Sequence, residues 1–185
     1  MADLSVRPAR EANAAASAAV QVAAWRVGYA EVLPAARLSA LDGQRDDFAL
    51  AWAEATVRPP TYRHRVLVAC DGPAVIAVAS AGPAPDADKD PDADAELFTF
   101  AVDPAHRRAG HGSRLLSASV DLLRGAGFRA ATIWLDRDDD ASHQLFTAAG
   151  WAVDGSTRRL DLDGDGQVVV DQVRLHTDLT EGPPP

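Results

Sequence analysis

The stretch Val102-Asp103-Pro104-Ala105-His106-Arg107-Arg108-Ala109-Gly110-His111-Gly112-Ser113-Arg114-Leu115-Leu116 decides how this sequence of 185 residues reads. A strand ends at Val102, a glycine-containing turn follows, and an amphipathic helix opens behind it with Leu116, Val120 and Leu123 on one face. Backbone N–H groups at such a turn and the positive end of the helix dipole converge on one small volume, which suits a phosphate. Gly110 and Gly112 remove side chains that would hold an anion away from the backbone, while His106, Arg107, Arg108, His111 and Arg114 supply positive charge. The spacing is not the dinucleotide fingerprint G-x-G-x-x-G, and the Lys-Ser/Thr of a P-loop is missing.

On either side of this turn, strand and helix patterns alternate. Val6 to Pro8 reads as a short strand, and Ala15, Ala18, Val22, Trp25 and Tyr29 recur at helical spacing in a helix ending near Pro34. Asp46 to Val57 reads as a second helix, stopped by Pro59-Pro60. Arg65 to Ala69 and Val75 to Ser80 form a hairpin around Asp71-Gly72. Pro83 to Asp94 has no apolar residue larger than alanine and a run of like charge, which predicts a mobile loop. Strand Leu97 to Val102 precedes the turn; after the helix, closed by Gly125 and Gly127, come strand Ala131 to Leu135 and helix Ala141 to Ala149. Two strands close the chain, about Val153 to Leu162 and Gln167 to Thr177. The expectation is a single α/β (α+β) domain over residues 1–179, about seven strands and four helices, with a disordered tail at 180–185.

Charge and composition exclude several classes. Eighteen Lys plus Arg against 27 Asp plus Glu give a net charge of −9, which argues against nucleic acid or an anionic membrane as partner and favours an acceptor that is cationic in solution. No apolar run approaches a bilayer span, and the first 24 residues lack a secretory core, so a cytoplasmic protein is expected. The single cysteine, Cys70, lies in a predicted strand and reads as a small core residue. Asp161-x-Asp163-x-Asp165-Gly166 mimics the start of a calcium loop, but Gln172 stands where a bidentate Glu belongs and the flanks alternate like strands. A hairpin turn and no metal site are expected.

The turn resembles the GCN5-related N-acetyltransferase (GNAT) superfamily: Arg107-x-x-Gly110-x-Gly112 fits its R/Q-x-x-G-x-G/A motif. Trp25-Arg26-x-x-Tyr29-x-x-Val32-Leu33-Pro34 is similar to the W-R-x-x-Y-x-x-L-L-P helix of a broad bacterial branch. Ile133-Trp134-Leu135 and Leu145-Phe146-x-x-x-Gly150-Trp151-x-x-Asp154-Gly155 resemble later motifs of that branch. The resemblance implies a mixed, mostly antiparallel sheet and acetyl transfer from acetyl-CoA to an amine in a ternary complex, with no covalent enzyme intermediate. It also implies that Arg107, Arg108, Ala109, Gly110, His111, Gly112 and Ser113 hold the pyrophosphate. The backbone of Phe100, Ala101 and Val102, on a strand that splays from its neighbour, would pair with the pantetheine arm.

Within the resemblance Glu96 is the candidate general base, since histone acetyltransferases carry a catalytic glutamate the same six residues before the valine. Partial burial would bring its proton affinity into a useful range; a solvated strand-start glutamate is the alternative. The tyrosine usually taken as the acid aligns with Phe146, and the usual asparagine of the following helix with Asp139. Asp139, Ser142 and Phe146 are accordingly candidate cofactor contacts, with Ser142 and His143 as substitutes for the missing acid. The end of the Trp25 helix borders the acceptor pocket in the resembling fold, making Trp25 and Tyr29 candidate substrate contacts, although their spacing also fits a core stripe. The reading is an acetyl-CoA-dependent N-acetyltransferase acting on a small-molecule or peptide amine, with a homodimer allowed. The alternative is a noncatalytic acyl-CoA-binding protein.

Overall fold

The computed structural model describes residues 4–162 and 164–180. Its strands are β1 (Leu4–Pro8), β2 (Arg65–Asp71), β3 (Ala74–Pro83), β4 (Asp94–Val102), β5 (Ala130–Asp136), β6 (Ala152–Asp161) and β7 (Val169–Asp178). Its helices are α1 (Ala14–Gly28), α2 (Ala35–Gly43), α3 (Arg45–Val57), α4 (His111–Gly125) and α5 (Asp140–Ala148). The strands join one sheet in the order β1-β2-β3-β4-β5-β7-β6. β4 and β5 run parallel, whereas β1–β2, β2–β3, β5–β7 and β6–β7 are antiparallel, as expected of a mostly antiparallel sheet. No helix among the described residues is long and apolar enough to cross a membrane. Contacts divide the chain into two compact units, residues 1–81 with 99–119 and residues 82–98 with 120–185.

In the first unit α1 buries Ala14, Ala18 and Val20, and α3 buries Trp52. Both contribute to a core with Val66, Val68 and Cys70 of β2 and Val78 of β3. Alternation along a strand places Val66 and Val68 on one face, and the expected core role of Cys70 holds at 3% exposure. The indole N–H of Trp52 donates to Gln21 Oε1 at 2.8 Å, so neither buried polar group is stranded. Helix α2 makes five helices among the described residues, where about four were expected. None of its residues is fully buried, its apolar side chains Leu38 and Leu41 being half-buried, and Pro34, read as the end of α1, is the N-cap of α2.

The second unit gives the two faces of its strands different work. Ala95 and Leu97 of β4, Ala131, Ile133 and Leu135 of β5 and Leu175 of β7 are buried, and register puts Leu97, Ile133 and Leu175 in one row. The opposite face carries Glu96 beside Thr132, Trp134 beside Arg174, and Asp136 beside Gln172, which in turn pairs with Arg158. Between Val153 and Thr157 the β6–β7 register shifts, a bulge that includes Asp154, Gly155 at φ 91° and Ser156.

Residues 83–94 correct the expectation of a mobile loop. Pro83 ends β3 and Asp94 opens β4; Ala84 and Ala93 are buried, and Ala84 N–H donates to Asp94 O at 2.9 Å. The carboxylates that looked mutually repulsive share a cation distant in sequence, Arg174. Of the expected tail, Thr180 is described, its amide donating to Asp178 Oδ1; residues 181–185, and Asp163 of the calcium-like stretch, lie outside the described residues. Asp161 accepts from the amides of Gly164 and Gly166 at 2.9 Å each, the contacts of a hairpin turn.

Candidate active site

In the first unit the chain leaves β4 through Asp103, which accepts from Ala105 N–H at 2.9 Å and starts a single turn of 3-10 helix at Pro104–His106. Arg107 is extended, and Arg108 has φ 61°, the one non-glycine residue with positive φ among the described residues. Such a conformation costs about 1–2 kcal/mol in an L residue. Gly110 follows at φ 79°, where an added Cβ would come within 3.3 Å of Arg114 Nη1. The first intrahelical bond runs from Arg114 N–H to Gly110 O at 3.1 Å, so the amides of His111, Gly112 and Ser113 lie ahead of it at the positive end of α4. Arg107, Arg108, Ala109, Gly110 and Ser113 are exposed, whereas His111 is buried with its ring 6.3 Å from that of His106. Amides ahead of the first intrahelical bond, exposed arginines and a glycine that a side chain would crowd form a cradle that fits a phosphate. Phe100 and Val102 at the end of β4 are half-buried, and Ala101 is buried. The β4–β5 register covers Asp94–Leu97, while β4 itself continues to Val102.

In the second unit Glu96 is 6% exposed, inside β4 rather than at its start, and its Oε2 has no hydrogen-bond partner. Burial first, then the charge of Asp86, push its pKa up to about 7, against the opposing pull of Arg158 and Arg174. Arg174, 3% exposed, organises this face. Its Nε donates to Asp154 Oδ2 at 2.7 Å, Nη1 to Asp86 Oδ2 and Asp88 Oδ1 at 2.8 Å each, and Nη2 to Asp88 Oδ2 and Ser156 Oγ. Every N–H of the guanidinium is used. The hydrogen bonds from Arg174 hold the Asp88 carboxyl down at about 2. Burial pushes Asp154 up, but hydrogen bonds from Ser156 and Arg174 outweigh it and keep Asp154 below its ordinary value. Asp86 Oδ2 also accepts from Trp134 Nε1 at 3.0 Å, and the guanidinium carbons of Arg158 and Arg174 stand 4.4 and 5.4 Å from the centroid of that indole.

The remaining sequence candidates have structural partners. Asp139 caps α5, accepting from Ser142 N–H at 3.1 Å and Ser142 Oγ at 2.6 Å. Phe146 is fully buried with its ring edge-on to Trp151 at 5.1 Å, and His143 Nε2 lies 3.1 Å from Asp136 O. Half-buried Trp25 packs edge-on against Phe48 at 5.2 Å, and Tyr29 is half-buried just after α1. Sequence reasoning missed Arg174, Asp86, Asp88 and Arg158. The available signals were an arginine between Val173 and Leu175 in an apolar strand, and the Asp154-Gly155 pair, whose bulge delivers Asp154 and Ser156 to it.

The model of the acetyltransferase (GNAT) family matches residues 29–151, more than half of the chain. This chain belongs to the GNAT acetyltransferase family. Solved structures agree on the GNAT fold. A PaiA N-acetyltransferase from Thermoplasma acidophilum, in complex with coenzyme A, is 13% identical over 95% of this chain and 99% of its own, at a TM-score of 0.69. The yncA protein of Salmonella typhimurium, with acetyl-CoA, is 20% identical over 98% and 97% at 0.63. A ribosomal-protein-alanine N-acetyltransferase from Brucella melitensis is 22% identical over 94% and 99% at 0.68. No curated protein matches the sequence.

Proposed function

We propose that this GNAT protein is an N-acetyltransferase that moves the acetyl group of acetyl-CoA to a primary amine, within one catalytic domain over residues 1–179. The observation that carries the reading is the Gly110 turn, a backbone anion cradle at the start of α4 in a chain that belongs to an acetyltransferase family. Arg107 to Ser113 hold the pyrophosphate, and the backbone of Phe100 to Val102 takes the pantetheine arm. Acetyl-CoA supplies a thioester whose C–S bond breaks as the amine nitrogen forms the new C–N bond. Glu96 takes the proton the amine must lose, directly or through a water, and a proton returns to the departing thiolate. A base with its pKa near 7 is half ionised at neutral pH, and its unpartnered Oε2 leaves an acceptor site for that proton. Buried Phe146 has no proton to give, so solvent, or the positively charged nitrogen formed as the amine adds, supplies the thiolate's proton.

The partners in this reading are acetyl-CoA and an amine, without nucleic acid or membrane, in the cytoplasm, as monomer or homodimer. Calorimetry with acetyl-CoA and free-thiol release across an amine panel test it together. Binding with amine-dependent thiol release is the expected result. Binding without release from any amine identifies a noncatalytic acyl-CoA-binding protein instead.

A further inference from the structure

The two arginines that flank Trp134 differ in what remains of their hydrogen-bonding capacity. Arg174 is buried and spends all five N–H groups on Asp86, Asp88, Asp154 and Ser156. Arg158, on the same face of the second unit, is exposed and held from behind. Its Nε donates to Gln172 Oε1 at 2.7 Å, and its guanidinium carbon rests 4.4 Å from the centroid of Trp134. Gln172 is itself 6% exposed and donates to Asp136 Oδ1 at 2.7 Å, so the chain Asp136–Gln172–Arg158 orients the guanidinium plane. Neither terminal nitrogen of Arg158 has a protein partner, and no carboxylate stands within ion-pair distance, among the described residues.

An oriented, stacked and unpaired guanidinium presents a planar fork that matches a carboxylate and loses little side-chain entropy on engaging one. Its positive charge acts on Glu96, the other group of this face without a complete set of partners. We propose that Arg158 anchors the carboxylate of the acceptor, so that the amine acetylated is that of a free amino acid. This rests on the acetyl-transfer reading and narrows it. The acidic balance of the whole chain pointed to a cationic acceptor; on this face three carboxylates are already engaged by Arg174, and the cation left unpaired is Arg158. A zwitterion satisfies both ends, its ammonium facing Glu96 and its carboxylate facing Arg158.

The test pairs L-leucine, L-phenylalanine and L-histidine with their amides, which keep the amine and the side chain but lose the negative charge. At least one acid should exceed its amide in kcat/KM, although the amide's amine is more readily deprotonated. Arg158→Gln should reduce the acid-to-amide ratio by about 10- to 100-fold, the worth of a charge-assisted hydrogen-bonded pair. Arg158→Lys should recover part of that ratio, since charge returns without the fork. Thermal unfolding of each variant shows whether it is folded. Amides equal to or better than all three acids, or a ratio unmoved in a folded Arg158→Gln, would overturn the anchor and leave acetyl transfer standing. Absence of thiol release with every amine, acetyl-CoA being bound, would overturn the acetyl-transfer reading itself.

Discussion

The turn at Gly110 and the Glu96 face of the sheet handle charge in opposite ways. The turn is made of backbone: consecutive amides at a helix start, a glycine at φ 79° just ahead of them, and arginines within a few residues. The Glu96 face is made of side chains from β4, the 83–94 segment, β5, β6 and β7, tied together by one buried guanidinium. A backbone site depends on local conformation and tolerates changes far away. A side-chain site depends on long-range partners, and losing one strands the others in a poorly hydrated place.

The sharpest separation comes from Glu96→Gln, which should lower the rate at neutral pH by about 10²–10⁴-fold while leaving acetyl-CoA affinity nearly unchanged. The wild-type rate should rise with pH through about 7 as the buried carboxyl ionises, and the variant should lose that limb. A rate profile unaltered by the substitution would move the base to water or another residue. Arg174→Met comes next: taking the buried cation away from Asp86, Asp88 and Asp154 should cost about 3 kcal/mol in urea unfolding. Its acetyl-CoA Kd, measured by calorimetry on folded protein, should stay close to wild type. A large loss of affinity would break the distinction between the two regions.

Gly110→Val should do the reverse. At φ 79° a β-branched residue is strained and its side chain meets Arg114, so acetyl-CoA affinity should fall by about 30-fold or more in a protein that remains folded. Equal affinity would remove the turn from the binding site. The smallest effect is again at Glu96. Its folded pKa lies above its unfolded value, so the folded state holds the proton more tightly and the stability this confers is present below about pH 4.5. It is lost as pH rises through about 7. Glu96→Gln should therefore be more stable than wild type at pH 8, by about 1–2 kcal/mol after allowance for partial solvation, with the difference shrinking toward pH 5. A pH-independent difference would deny that Glu96 ionises in the folded protein.

Legibility in the sequence followed the same division. The strand, turn and helix around Gly110 could be read because the glycines, the basic residues and the apolar period of α4 are neighbours in the chain. Glu96 was readable by its spacing from Val102, but the choice between burial and a solvated strand start stayed open, because β4 begins at Asp94 rather than at Leu97. Helix α2 was easy to pass over because its apolar stripe is short, Leu38 and Leu41 alone, and only half-buried. The acidic segment was misread because charge patterning weighs neighbours in sequence, whereas Arg174 lies more than 80 residues beyond Asp88. Arg158 looked like any charged residue on an outer strand; the Trp134 ring and Gln172 that orient it come from β5 and β7.

The bulge at Asp154-Gly155-Ser156 has a consequence for how this protein can drift. Asp86, Asp88, Asp154 and Ser156 all meet one guanidinium, so their substitutions will not act independently: once Arg174 is gone, the acidic side chains lose the cation they share, and further loss among them costs less than the first. Among descendants of this sequence, the aspartates of the 83–94 segment, the bulge and Arg174 should be kept together or abandoned together. The glycines of the turn at Gly110, which answer to no such hub, should vary on their own schedule.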